Sequence, residues 1–297
     1  MTVTEFPDGV RVEGAEPFDL AQTLDCGQCF RWEREADGSY TGTAMGRIVN
    51  MRFEPEGRLI VDNCTEEDFA QIWTPYLDLE RDYAQVKCSL QGEEIKKAIE
   101  YGYGIRILKQ DFWEALLSFI ISQNNNIPRI KGCIEVLAHC CGEKIGTYKG
   151  KDYYALPEPE VLADMTTDDL TEIRLGYRAP YLIETARQVL ERGGRQETER
   201  KLKECENFEE AVSALREFQG VGPKVASCVA LFGLGFSDAF PIDVWMRRVM
   251  HRLYGMEEKN IRGMEDFAKK NFAPYGGIAQ QYLFYYIRAL EQGAAKE

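Results

Sequence analysis

Several things are scarce or missing in this chain, and each absence narrows what it can be. No apolar run approaches the roughly 18 residues that cross a bilayer, and MTVTEFPDGVRVEGAEPFDL at the start has no basic stretch leading into an apolar one. A cytoplasmic protein with no membrane association is therefore expected. Histidine occurs only as His139 and His251. The nine cysteines (26, 29, 64, 88, 133, 140, 141, 205 and 228) are an odd number without an export signal, the usage of reduced thiols rather than a disulfide framework. Cys26 and Cys29 have the spacing of half a zinc site, yet no second C-x2-C follows and the histidines are too few to complete it. An iron–sulfur cluster lacks its closely spaced cysteines, since only Cys205 and Cys228 lie beyond residue 141. No metal and no cofactor is expected. Nor is there a Pro-, Gln- or Ser-rich tract, and 297 residues at 44% hydrophobic content suffice for a large core.

An excess of positive charge is also lacking. The formal net charge is −13, which opposes nucleic-acid binding, because lysine and arginine supply most non-specific affinity for phosphate. The distribution weakens the objection. Residues 1–100 hold 21 acidic against 10 basic side chains, whereas residues 101–297 hold 28 against 26, so the acid sits mostly in the first third.

That first third alternates apolar and polar residues between turns. CFRWERE, SYTGTAM, RIVNMRFE and RLIVDN, separated at Asp37-Gly38 and Glu56-Gly57, read as an antiparallel meander. From about Glu66 the apolar spacing changes to three and four, in segments such as DFWEALLSFIISQ and APYLIETARQVLERG, and the C-terminal two-thirds reads as helical. The expected fold is α+β: an antiparallel sheet domain over 1–95, then helical domains over 96–297 with a helix–hairpin–helix around 208–231.

The hairpin is FQGVGPKVASC. Asn207 with Glu210 marks a helix start, Gly220 stops that helix near 218, and Pro223 suits the first turn of the next. Such a corner, at Gly220, Val221 and Gly222, presents backbone N–H groups that can bind a phosphate without a basic side chain. A plain tight corner between two helices satisfies the same residues. Lys224 stands in the first turn of the second helix, where the positive helix end disfavours its protonated form and so favours a nucleophilic amine. Cys228 is one turn further on the same face. Asp243 in FPIDVWM precedes another helix and is either an N-cap or a carboxylate that stabilises positive charge developing near the lysine.

At this point the chain resembles a known family. The run from Phe218 to Asp243 is similar to the helix–hairpin–helix, Gly/Pro…Asp signature of base-excision DNA glycosylases, and the rest resembles the 8-oxoguanine DNA glycosylase branch. CGQCFRW at 26–32, SFIISQNNNIPRI at 118–130, LGYRAPYL at 175–182, the hairpin, FPIDVWM and AQQYLF at 279–284 occur in that order. The resemblance implies a monomeric, bifunctional glycosylase and abasic-site lyase acting on duplex DNA that contains 8-oxoguanine. Lys224 would attack the sugar C1′ and form a Schiff base, followed by β-elimination, with Asp243 as its acidic partner.

The resemblance also assigns the remaining site. The Gly27 carbonyl would accept the N7–H that 8-oxoguanine has and guanine lacks; without the family, Gly27 reads as a strand-entry turn. Phe284 and Cys228 would sandwich the flipped base and Gln280 would bond its Watson–Crick edge, although periodicity alone places Phe284 and Cys228 as core residues. Asn124 would fill the void, Arg129 and Arg178 would pair with the orphaned cytosine, and Tyr177 would wedge beside it. Two donor-only guanidinium groups suit the acceptors of cytosine. Read without the family, Asn126 is a helix cap and its neighbours are turn residues. One departure stands out: Trp245 lies where related enzymes often carry a histidine near a phosphate. Arg247, Arg248 and Arg252 are either phosphate contacts or a solvated basic face. Two other readings stay open, a non-catalytic DNA-binding hairpin and an alkylated-purine glycosylase that leaves the strand intact.

Overall fold

A computed structural model describes residues 1–291 and 293. One six-stranded antiparallel sheet is built from β1 (Thr2–Phe6), β2 (Gly9–Glu13), β3 (Trp32–Arg34), β4 (Tyr40–Ala44), β5 (Arg47–Phe53) and β6 (Leu59–Asp62), in the order β1-β2-β6-β5-β4-β3. The meander read from the sequence is β3 to β6, with Gly42 opposite Val49 and Met51 opposite Val61 in its ladders. The first hairpin, β1–β2, adds to the far edge of β6. It carries no strong sequence signal because β1 is largely exposed and its side chains are mostly polar.

The segment following β6 closes the sheet's core. Phe69, Trp73, Tyr76 and Leu77 pack with Trp32, Tyr40, Val49 and Met51. Trp32 donates its Nε1–H to the Tyr76 hydroxyl at 3.0 Å, so this buried polar handle is satisfied where it enters the aromatic cluster.

A larger helical core follows. Its centre is Phe112–Ile121, an almost wholly apolar helix capped by Asp111, whose side chain accepts from Glu114 N at 2.9 Å. A helix apolar all round has to be enclosed, and nine of its ten residues are buried. Phe119 stacks on Phe232, which ties the helix to Pro223–Phe232, the second helix of the hairpin. Phe119 and Ser122 also lie near the Lys224 amine, so the end of the central helix arrives beside the start of that hairpin helix too.

One correction applies to the C-terminal two-thirds, which is not purely helical. Lys144–Tyr148 (β7) and Lys151–Tyr154 (β8) form a hairpin turned at Lys149-Gly150, both with positive φ. It folds back against the six-stranded sheet, with Gly146 near Ile48 and Lys151 bonded to Glu33 at 2.7 Å. The alternation is short and half exposed, which hid it beside strong helical signals. Among the described residues no helix is long and apolar enough to cross a membrane. All nine cysteines are free thiols.

Glu114 sits in a crevice between sheet and helices near Arg31, Asp111 and Arg195. Burial pushes its carboxyl up to about 7, with Arg31 pulling it down and Asp111 adding to the rise. A folded-state value above the unfolded one means that stability is complete below pH 4.5 and is lost as pH climbs toward 7. Glu114→Gln is thus expected to raise the melting temperature at pH 8 by a few degrees, on the order of 1–2 kcal/mol after allowance for its partial exposure. The same variant should show no gain at pH 4.5 in a thermal-melt series.

Candidate active site

The hairpin is held from one side. Asn207 caps its first helix, Phe208–Leu215, by accepting from Glu210 N at 2.9 Å, and Glu210 reaches back to Glu206 N at 2.7 Å. The turn closes through Phe218 N to Leu215 O and Val221 N to Phe218 O. Thr185 and Gln188 of the neighbouring helix Ala179–Glu191 bond Gln219 O and Gln219 N. Gly220 has φ +77, and a β-carbon there would meet the Tyr181 ring at 2.4 Å. Only glycine fits, on both grounds. Val221 is buried, and Gly222 is the N-cap of Pro223–Phe232. Neither the Gly220 nor the Gly222 amide has an acceptor among the described residues. Unspent N–H donors at a helix N-terminus are chemically able to hold an anion.

The two glycines separate fold from ligand. Gly222→Ala adds a methyl into open space at an ordinary φ of −83, whereas Gly220→Ala clashes and is strained. Gly220→Ala is expected to cost about 2 kcal/mol or more of stability, and Gly222→Ala to keep stability within about 0.5 kcal/mol while weakening duplex DNA binding. Thermal melts beside a binding titration check both.

Lys224 is half-buried in the first turn of the second hairpin helix. Its Nζ stands 5.3 Å from the Phe119 ring centroid and makes a long contact, 3.4 Å, to Ser122 Oγ. The amine is therefore poised at the end of the central helix, between Ser122 and the Cys228 thiol. Cys228, one turn along, is buried; burial pushes its thiol up, Lys224 pulls against that and Asp243 adds to it. Lys224 and Asp243 thus both lie within electrostatic reach of one sulfur. Asp243 is an N-cap as well, accepting from Met246 N at 2.9 Å at the start of Val244–Tyr254. The two readings of Asp243 are compatible, since one carboxylate oxygen caps and the other remains.

Across the helix from Asp243, Trp245 stands edge-on to Phe284 with ring centroids 6.5 Å apart. Phe284 in turn lies beside Gly27, whose φ is +89 and whose added β-carbon would stand 3.5 Å from the Phe284 ring and from Ile127. The loop carrying Gly27 is clamped on both sides. Gln281 donates to Cys26 O at 3.0 Å, and Gln110 donates to Gln28 O at 2.7 Å. The buried Gln28 amide bonds Thr23 O and Arg106 O and accepts from Leu108 N. Between these two engaged carbonyls, that of Gly27 accepts no hydrogen bond among the described residues. Gln280, buried beside the engaged Gln281, likewise makes no side-chain bond among them.

Asn124, Arg129, Tyr177 and Arg178 come together as a patch next to Ser122. Asn124 is exposed and adopts a left-handed φ of +46. Asn126 caps Ile127–Cys141 by accepting from Arg129 N, and Arg129 Nη2 donates to Arg174 O at 3.1 Å. Tyr177 is half exposed and bonds Gln123 O at 3.2 Å. Arg178 is different: it is buried, stacks on Tyr177, and spends its donors on the carbonyls of Gln123, Asn124 and Leu175.

Comparison with known proteins places this geometry. Residues 10–116 match the model for the 8-oxoguanine DNA glycosylase N-terminal domain, and residues 117–274 match the HhH-GPD superfamily of base-excision DNA repair proteins. The chain belongs to the 8-oxoguanine DNA glycosylase family. An N-glycosylase/DNA lyase of Saccharomyces cerevisiae is 32% identical to it, over 86% of this chain and 73% of that one. The N-glycosylase/DNA lyase OGG1 of Arabidopsis thaliana is 31% identical over 89% and 76%. Among solved structures, a Clostridium acetobutylicum 8-oxoguanine glycosylase/lyase bound to duplex DNA with cytosine opposite 8-oxoguanine superposes with a TM-score of 0.92. The two chains share 39% identity, covering 98% of this one and 99% of that one. A 3-methyladenine DNA glycosylase of Archaeoglobus fulgidus, at 22% identity and TM-score 0.71, shares the fold alone.

Within this family member, several residues around the site make contacts that the sequence does not reveal. Ser122 touches the lysine, Gln281 and Gln110 free the Gly27 carbonyl by occupying its neighbours, and Trp245 braces Phe284. Trp245, the departure from the family pattern, is thus turned inward to an aromatic contact, with Arg248 stacked on it at 5.2 Å.

Proposed function

We propose that this protein excises 8-oxoguanine from duplex DNA in base-excision repair, displacing the base with the Lys224 amine and then cleaving the strand at the abasic site. The observation that carries the reading is the placement of Lys224 in the first turn of the second hairpin helix, with Cys228 one turn on and both Lys224 and Asp243 within electrostatic reach of that thiol. The named relatives point to the same activity.

The chemistry follows from those groups. The Nζ lone pair forms a bond to C1′ as the C1′–N9 bond breaks, and the departing base keeps that electron pair and takes up a proton. One of the two amine protons is then lost, and as the nitrogen lone pair forms the C1′=N bond the C1′–O4′ bond of the sugar ring breaks, O4′ takes up a proton, and a protonated imine is left. The Asp243 carboxylate stabilises the positive charge that builds on this path. Removal of a C2′ proton then expels the 3′-phosphate by β-elimination. An amine nucleophile gives this imine, whereas a hydroxyl or water does not.

Recognition divides between two faces. The open Gly27 carbonyl accepts N7–H of the extruded base; guanine N7 is itself an acceptor and would leave that carbonyl unpaired. One such group is worth about 1–3 kcal/mol. Phe284 and Cys228 flank the base and Gln280 meets its Watson–Crick edge. Asn124 enters the space the base vacates, with Tyr177 beside it. Arg129, exposed, spends one donor on Arg174 O and reads the orphaned cytosine with the others; Arg178 does so by exchanging carbonyl partners for base acceptors.

Borohydride reduction during reaction with an 8-oxoguanine:cytosine duplex tests the reading. A covalent protein–DNA adduct is expected. A binding module would give neither adduct nor free base, and a water-using glycosylase would release base without an adduct, so either result defeats it.

A further inference from the structure

Beside the Gly27 loop lies a buried donor that the base contacts proposed above do not use. Arg288 lies one turn beyond Phe284 on the helix Gly276–Glu291, and its guanidinium stands over that ring, 5.5 Å from the centroid. Its Nη1 atom is sealed from solvent and has no hydrogen-bond partner among the described residues. The same atom would be 3.6 Å from a β-carbon on Gly27. Burial pushes the Cys26 thiol in this loop up to about 11, and Arg288 is among the groups pulling against that rise, so its charge reaches the loop. Buried N–H groups are nearly always paired, because an orphan costs about 1–3 kcal/mol. A permanently charged donor left unpaired next to an unengaged carbonyl is an incomplete set.

We infer that Arg288 donates a hydrogen bond to one of the two oxygens flanking N7 of the extruded 8-oxoguanine, and that this contact strengthens as the base departs. The inference rests on the function proposed above. If Gly27 accepts N7–H, the atoms on either side of that group are O6 and O8, both acceptors, and the donor beside Gly27 faces one of them. When the C1′–N9 bond breaks, its electron pair spreads over the purine and these oxygens. A fixed guanidinium there stabilises the leaving base more than the neutral ground state, so its effect falls on the rate of excision. The Phe284 ring beneath the guanidinium holds it in place by cation–π attraction.

The test compares two reactions within each protein: single-turnover release of 8-oxoguanine opposite cytosine, and strand cleavage at a preformed abasic site, which lacks the base Arg288 would touch. Arg288→Met is expected to slow base release about 10²-fold and to leave abasic-site cleavage within about twofold. Arg288→Gln, which keeps a donor without the charge, is expected to fall between wild type and Arg288→Met. Unchanged base release in Arg288→Met overturns the inference, and so does equal loss of both reactions in both variants, the mark of a purely structural role. A wild-type protein that releases no 8-oxoguanine would instead defeat the proposed function, so the two failures are distinguishable.

Discussion

Replacing Lys224 with glutamine is expected to slow 8-oxoguanine release by at least about 10⁴-fold, the scale on which loss of a nucleophile is felt, and to abolish the borohydride adduct. The amide cannot form a bond to C1′ that leads to an imine. Cys228 cannot take over, because burial raises its thiol and keeps it protonated, while a thiolate is the reactive form. The fold should tolerate the change, since Lys224 contributes the long contact to Ser122, a contact with the Cys228 thiol and its amine near the Phe119 ring, and no ion pair among the described residues. Duplex affinity should stay within about tenfold, as one cation among several phosphate contacts is lost. Single-turnover kinetics, a trapping gel and a thermal melt decide the matter. An adduct that persists in Lys224→Gln would move the nucleophile elsewhere.

Asp243→Asn separates two roles that one side chain combines. Asparagine caps a helix about as well as aspartate, so the bond to Met246 N is retained and stability should change by less than about 0.5 kcal/mol. The negative charge is lost, and with it the stabilisation of the cationic path from amine to imine. Base release should fall about 10²- to 10³-fold, the magnitude seen when one preorganised electrostatic group is removed. Asp243→Ala should show the same kinetic loss together with about 1 kcal/mol of destabilisation. Equal rates in wild type and Asp243→Asn would reduce Asp243 to a cap.

Local chemistry made much of this legible in advance. Asn126, Asn207 and Asp243 all cap as their spacing indicates, and Pro223 opens the second hairpin helix, because a cap depends on residues only three positions away. The β3–β6 meander was readable from alternation between Gly-containing turns. The β1–β2 and β7–β8 hairpins were not, since short, half-exposed strands make little alternation and are stabilised by the neighbours they add to.

The candidate site divides along the same line. The hairpin lysine and the aspartate after it lie close in sequence, so their chemistry could be argued from the letters. Whether the Gly27 carbonyl is open depends on Gln281, 255 residues from Cys26, and on Gln110, 82 residues from Gln28. Arg288 shows an orphaned N–H only once the last helix is packed against that loop. Sequence by itself determined the caps, the turn and the kind of nucleophile, because these follow from short-range geometry and intrinsic reactivity. Which donors and acceptors remain unspent for a substrate was decided by tertiary structure, since hydrogen-bond satisfaction is set by whatever distant segment folding brings within 3 Å.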